Sequence, residues 1–262
     1  MWVTVKTKIC YYDIETSYII TREKKWGLYD ERPIEREIVQ DFQILTVAWQ
    51  WEGQKKVHVM GQDDFKGYKP GKLDDYKLCK FIHEEIFSKA DVLVAHNGDQ
   101  FDQKKVRARM LINGFTLPAP PIEVDTKKMA KRIAGFTSNK LGDLARMLGV
   151  PHKEDPGGMS TWDGYIAGEP KAVKKMKWYN KHDIPPLRGV YMKLRAADKS
   201  HVPLNMIEGK MDACPVCLKT GKMQSRGYQV TKTNRYQRFQ CQGCGAWLKS
   251  RTAEKGDKPL YV

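Results

Sequence analysis

The nine residues Ile9-Cys10-Tyr11-Tyr12-Asp13-Ile14-Glu15-Thr16-Ser17 constrain this chain most, because they read as a buried strand that ends in acid. Side chains alternate across a strand, so Asp13 and Glu15 share one face while Ile14 points back into the core. Two like charges held that close repel unless a cation lies between them, and a divalent cation with oxygen ligands is the usual answer. An isolated Asp-x-Glu pair is more often a solvated strand end, so its meaning depends on the remaining chain.

The 262 residues suit one large or two unequal domains. Lys and Arg number 46 against 31 Asp and Glu, a net charge of +15 that points to a polyanionic partner, most often nucleic acid. No run of eighteen apolar residues is present and the start lacks a signal-peptide core, so a cytoplasmic location is expected.

After the opening strand comes a charged excursion, Tyr18 to Gln40, carrying Trp26, Leu28 and Tyr29, which reads equally as a surface arm or a substrate-contacting loop. Gln43 to Gln50 and Lys56 to Met60 form a hairpin pattern. Leu78, Phe81, Ile82 and Ile86 make one apolar helical face within Lys72 to Ser88, with Cys79 as a small core residue. Asp91 to Asn97 is a strand covered on both faces, followed by a helix from Phe101 to Asn113, a strand Ile122 to Asp125, and helices Thr126 to Ala134 and Ser138 to Leu148. His152 to Pro170 reads as loop; Lys171 to Tyr179 and Leu187 to Ala197 read as helices. Strands first, then strands alternating with helices, predict an α/β layer fold with a mixed sheet flanked by helices. His96 and His152 lack partners at ligand spacing, Trp49 and Trp51 are sheet residues, and Lys171, Lys174, Lys175 and Lys177 read as a solvated helix face.

Two further acids stand where sites are commonly built. Asp102 follows Asn97-Gly98-Asp99-Gln100-Phe101, where a buried strand gives way to a helix, and Asp183 follows Tyr179 by one helical turn. Asp13-x-Glu15, Asn97-xxx-Phe101-Asp102 and Tyr179-xxx-Asp183 together resemble the three motifs of the DEDD (DnaQ-like) 3′–5′ exonucleases over roughly residues 8 to 197. The branch is the tyrosine type of family B polymerase proofreading domains, since Trp178 stands where the histidine type carries its base. With its tail the chain looks most like stand-alone phage-encoded exonucleases. The resemblance implies a ribonuclease H-like fold in which Asp13, Glu15, Asp102 and Asp183 hold two Mg²⁺ or Mn²⁺ ions, Tyr179 orients water, and Thr16, Asn97 and Phe101 meet the substrate. Pro185-Pro186 depart from a plain helical pattern and predict either a kink or a new helix starting near Ile184.

A boundary is expected near residue 205, giving a nuclease domain over 1–205 and a second unit over 206–262. Lys and Arg number 11 against 4 acids in that second unit, so its positive charge is denser. Cys214-Pro-Val-Cys217 and Cys241-Gln-Gly-Cys244, 23 residues apart, have zinc-ribbon spacing, and one structural Zn²⁺ is expected, with an iron centre or disulfides as the alternatives. Arg226, Tyr236 and Arg238 mix cations with aromatics, as phosphate contact and base stacking require. These readings favour a two-metal exonuclease acting on single-stranded DNA ends. The alternatives are an exoribonuclease or structure-selective nuclease of the same fold, and, from another class, a non-catalytic nucleic-acid-binding protein or an adaptor recruited by a replication partner.

Overall fold

The computed structural model describes residues 6–22, 37–151 and 158–254. Trp26, Leu28, Tyr29 and His152 lie outside the described residues. Ten strands are described: β1 (Ile9–Thr16), β2 (Ile20–Thr21), β3 (Ile38–Gln40), β4 (Ile44–Trp51), β5 (His58–Gly61), β6 (Val92–Ala95), β7 (Ile122–Asp125), β8 (Met223–Val230), β9 (Arg235–Cys241) and β10 (Trp247–Lys249). The helices are α1 (Tyr76–Phe81), continued by a π-helical turn over Ile82–Phe87, α2 (Asp102–Ile112), α3 (Thr126–Ile133), α4 (Leu141–Met147), α5 (Ser160–Ala167), α6 (Pro170–Leu194) and α7 (Leu204–Ile207).

Five strands form the main sheet in the order β5-β4-β1-β6-β7. β1 is antiparallel to β4 and parallel to β6, so the acid-bearing strand lies at the centre, where the sheet changes from a meander to a parallel pair. Its alternation builds two cores. Ile9 and Tyr11 pack with Met129, Ala145, Ile184, Leu187 and Val190 of α3, α4 and α6. Cys10, Tyr12 and Ile14 pack with Leu78, Cys79, Ile82, Val106 and Met110 of the α1 layer and α2. Continuing that period puts Asp13 and Glu15 on the α6 side, which is why α6 completes the site.

Three expectations change. The span from His152 to Pro170 is not all loop, because Ser160 to Ala167 form α5. Its signal is weakened by Gly164, yet a Cβ there would lie 2.6 Å from Cβ of Ala172, so glycine is what lets α5 lie against α6. The paired prolines neither end nor restart a helix: α6 runs unbroken through Pro185 and Pro186 for 25 residues, starting with Pro170. Burial of Ile184, Pro186 and Leu187 against the sheet holds the chain helical through the two missing N–H donors. Tyr179 and Asp183 therefore do share a face. Lys177, finally, is not part of a solvated row, since it pairs with Asp63 and, at 2.7 Å, with Asp64.

β8, β9 and β10 form a separate antiparallel sheet beside a small cluster of the four motif cysteines with Val216 and Ala246. It meets the main body through Leu204 N–H to the Pro215 carbonyl at 2.8 Å and through Leu218, which packs on the α6 core. No described helix is long and apolar enough to cross a membrane.

Candidate metal centres

Carboxylate oxygens of Asp13, Glu15 and Asp183 all lie within 4.8 Å of one another. β1 supplies two of them, and α6, crossing the same face, supplies the third. Asp13 is set by a side chain that the sequence reading missed: buried Asn180 donates to Asp13 Oδ2 at 2.7 Å and to its main-chain oxygen at 3.2 Å. Thr46 of β4 donates to Asn180 Oδ1 at 3.0 Å, which fixes the amide's orientation. The signal was available in principle, since Asn180 lies between Tyr179 and Asp183, but nothing local distinguishes it from any polar helix residue.

Salt links hold α6 in register on the sheet from either side of this contact. Lys177 meets Asp63 and Asp64 ahead of Asn180, and Arg188 meets Glu52 at 3.2 Å after it.

Asp102 stands outside the triangle of three. It reaches over from the opposite layer, at the start of α2, and accepts Ile14 N–H at 3.1 Å. Burial raises its carboxyl, backbone N–H donors from Ile14 and its own residue pull it back, and Asp125 and Asp183 push it up again, to about 7. A carboxyl so raised beside other acids is a group whose ionised form waits for a cation.

Tyr179 lies edge-to-face with Trp162 of α5, ring centroids 6.1 Å apart, so α5 supports the tyrosine. His182 is turned elsewhere, stacked on Trp178 at 4.2 Å with Nδ1 against the Trp178 carbonyl at 2.6 Å. Thr16 ends β1 at a register shift. Asn97 adopts a φ of 66°, its N–H donating to Asp125 and its side chain accepting from Lys127 Nζ. Phe101 is partly exposed just ahead of Asp102. His96 is occupied structurally, its ring nitrogens 2.8 Å from Thr126 Oγ1 and 2.9 Å from the Asn139 carbonyl.

The second cluster is Cys214, Cys217, Cys241 and Cys244. Sγ of Cys214 is 3.8 Å from that of Cys244, and Cys217 is 3.7 Å from Cys241. Disulfide sulfurs would be about 2.05 Å apart. Four thiolates about 2.3 Å from one zinc ion lie about 3.8 Å from each other, so the donor set fits a tetrahedral ion. Burial pushes the Cys241 thiol up, but N–H groups of Gly243 and Cys244 and the neighbouring thiols outweigh it and bring it down to about 7. Of the residues expected at nucleic acid, Tyr236 and Arg238 lie on β9 and Arg226 lies at the β8 bulge opposite them.

Comparison with known proteins adds two findings. The DNA polymerase III PolC-type protein of Ureaplasma parvum serovar 3 is 28% identical over 121 residues, 46% of this chain but 8% of that protein. The sequence pattern of the RNase H superfamily matches residues 52–195, more than half of the chain. With the central mixed sheet, flanking helices and acids at its strand ends, the chain belongs to the RNase H superfamily.

Proposed function

We propose that this chain is a metal-dependent 3′–5′ exonuclease that hydrolyses phosphodiester bonds at single-stranded DNA ends. The observation that carries the reading is the convergence of Asp13, Glu15 and Asp183 within 4.8 Å, where α6 crosses the central strand of an RNase H-like sheet. Polarity and substrate are taken from the resemblance of the three motifs. Asp13, Glu15, Asp102 and Asp183 are the residues that would hold two Mg²⁺ or Mn²⁺ ions, and such ions supply hydroxide near neutral pH and shield phosphate charge. The chain's own groups do the positioning. Asn180 holds the Asp13 carboxylate, and Tyr179, braced by Trp162, offers a hydroxyl to orient water. It acts by hydrogen bond rather than as a strong base, because an unperturbed phenol has a pKa of about 10. Thr16, Asn97 and Phe101 meet the terminal nucleotide. The cysteine cluster forms a ribbon around one structural zinc, over a unit spanning 206–262, and the zinc contributes folding energy to a segment too small for a core of its own.

Digesting matched DNA and RNA strands labelled at either end, with Mg²⁺, tests the reading. Stepwise shortening of DNA from its 3′ end is expected, and Asp13→Ala should abolish it while single strands still bind, because basic surface elsewhere supplies most affinity. Preference for RNA selects the exoribonuclease alternative. Full cleavage by Asp13→Ala overturns the site, and binding without any cleavage favours the adaptor.

A further inference from the structure

Pairing register sorts the ribbon's side chains onto two faces with different chemistry. Directly paired residues share a face, so Gln224, Gln229, Tyr236, Arg238, Gln240, Trp247 and Lys249 lie together. The other face carries Cys241, Met223 and Leu248, which close over the cysteine cluster, and further out Tyr228, Arg235 and Val230. The first face is therefore the one turned away from the cysteine cluster along its whole length.

Cations and rings interleave across it. The Arg238 guanidinium lies 4.0 Å from the Trp247 ring centroid, and Lys249 Nζ lies 4.3 Å from that of Tyr236. Trp247 is 48% exposed, so one side of the ladder remains open to a ligand. On the opposite face Arg235 also lies over a ring, that of Tyr228, but its charge is met by Glu254 at 2.6 Å. Among the described residues no carboxylate pairs with Arg238 or Lys249. The glutamines beside them add donors and acceptors without charge. Cations with no carboxylate partner among the described residues, alternating with stackable rings, complement a strand of phosphates and unpaired bases.

We infer that the face of this sheet turned from the cysteines, through Tyr236, Lys249, Arg238 and Trp247, is a stacking platform for single-stranded nucleic acid. The choice of nucleic acid as the polyanion rests on the nuclease reading; the face itself is assigned by register, exposure and charge. Arg226, at the bulge opposite Arg238, flanks the platform.

The test uses the full chain, zinc content measured for every variant, with fluorescent oligothymidylate and oligouridylate and no added divalent cation. Tyr236→Leu with Trp247→Leu should weaken binding at least about thirtyfold, each lost base stack being worth roughly five- to a hundredfold, and leave the salt slope unchanged. Arg238→Gln with Lys249→Gln should lower that slope by about 0.7 per lost phosphate contact. Tyr228→Leu with Val230→Ser, on the other face, should bind as wild type. Equal affinity in all variants overturns the platform, as does equal weakening from the two faces. The ratio of the two oligonucleotides identifies the sugar. Where a variant loses zinc, the wild type decides: bound oligonucleotide should protect Lys249 from acetylation, and an unprotected Lys249 overturns the proposal. Face-dependent binding by a chain that cleaves no dinucleotide would uphold the platform while removing the nuclease reading.

Discussion

Asn180 makes its hydrogen bonds inside the core, donating to Asp13 and accepting from Thr46, so removing it takes the acceptor from the Thr46 hydroxyl and the amide donor that orients the Asp13 carboxylate from the α6 side. Residues that orient a metal ligand are typically worth about 10- to 100-fold in metal affinity or activity. Asn180→Ala should lower activity by that order and raise the Mg²⁺ concentration needed for half-maximal rate; an unchanged Mg²⁺ titration would show that Asp13 needs no such support. Asp102 supports a second prediction, about stability. Its folded-state pKa, raised to about 7, lies above its ordinary 3.8, so the folded state binds the extra proton between those values. Stability of the metal-free chain is therefore lost as pH rises through that window. Asp102→Asn can still accept the Ile14 N–H and carries no charge. Its stability without metal should exceed wild type by a margin that grows from about pH 4 to pH 7 and then levels, on the order of a few kcal/mol in chemical denaturation, while metal-dependent cleavage is lost. A constant margin across pH would show that the Asp102 carboxyl is not the titrating group.

At the scale of elements, α1, α2 and β4 are tied by one buried carboxylate. Asp75, whose side chain is fully buried, takes a two-pronged pair from Arg109 at 2.7 Å, an N–H from Ile44 at 3.0 Å and the Asn113 amide at 2.9 Å. Asp75→Ala strands a buried guanidinium and should cost about 3–5 kcal/mol, seen in chemical denaturation; a loss below about 1 kcal/mol would mean that Arg109 finds water. α6 shows the limit of local reading. Pro185 and Pro186 argue against a helix residue by residue, yet the 25-residue element is held by burial along one face and by links at Lys177, Asn180 and Arg188. Those partners lie far away in sequence, so no window around the prolines contains the information.

For the whole molecule, described contacts between the ribbon and the nuclease body include Leu204 with Pro215, Leu218 and Ile207 on the α6 core, Ala196 on the cysteine cluster, and Glu208, which accepts Thr7 N–H at 2.9 Å beside the start of β1. We propose that they are separate folding units joined near residue 206. Removing zinc with a chelator should then raise amide exchange throughout β8, β9 and β10 while β1 and β6 keep their protection. Simultaneous loss in both sheets would make the chain one cooperative unit.

The alternation in β1 determined on its own that Asp13 and Glu15 face one way and Ile14 the other, because a strand's period leaves no choice once Cys10, Tyr12 and Ile14 are buried. The continuous apolar run at β6, the β4–β5 hairpin and the cysteine spacing were legible for the same reason, each being set by neighbours within a few residues or by ligand chemistry. The tertiary structure alone decided that Asn180 holds Asp13, that Trp162 braces Tyr179, that Asp102 reaches the other acids from the opposite layer, and which face of the ribbon turns away from the cysteines. Those relations join residues from seven positions apart in the ribbon hairpins to 167 between Asn180 and Asp13, and strand pairing and packing between layers, rather than local propensity, set them.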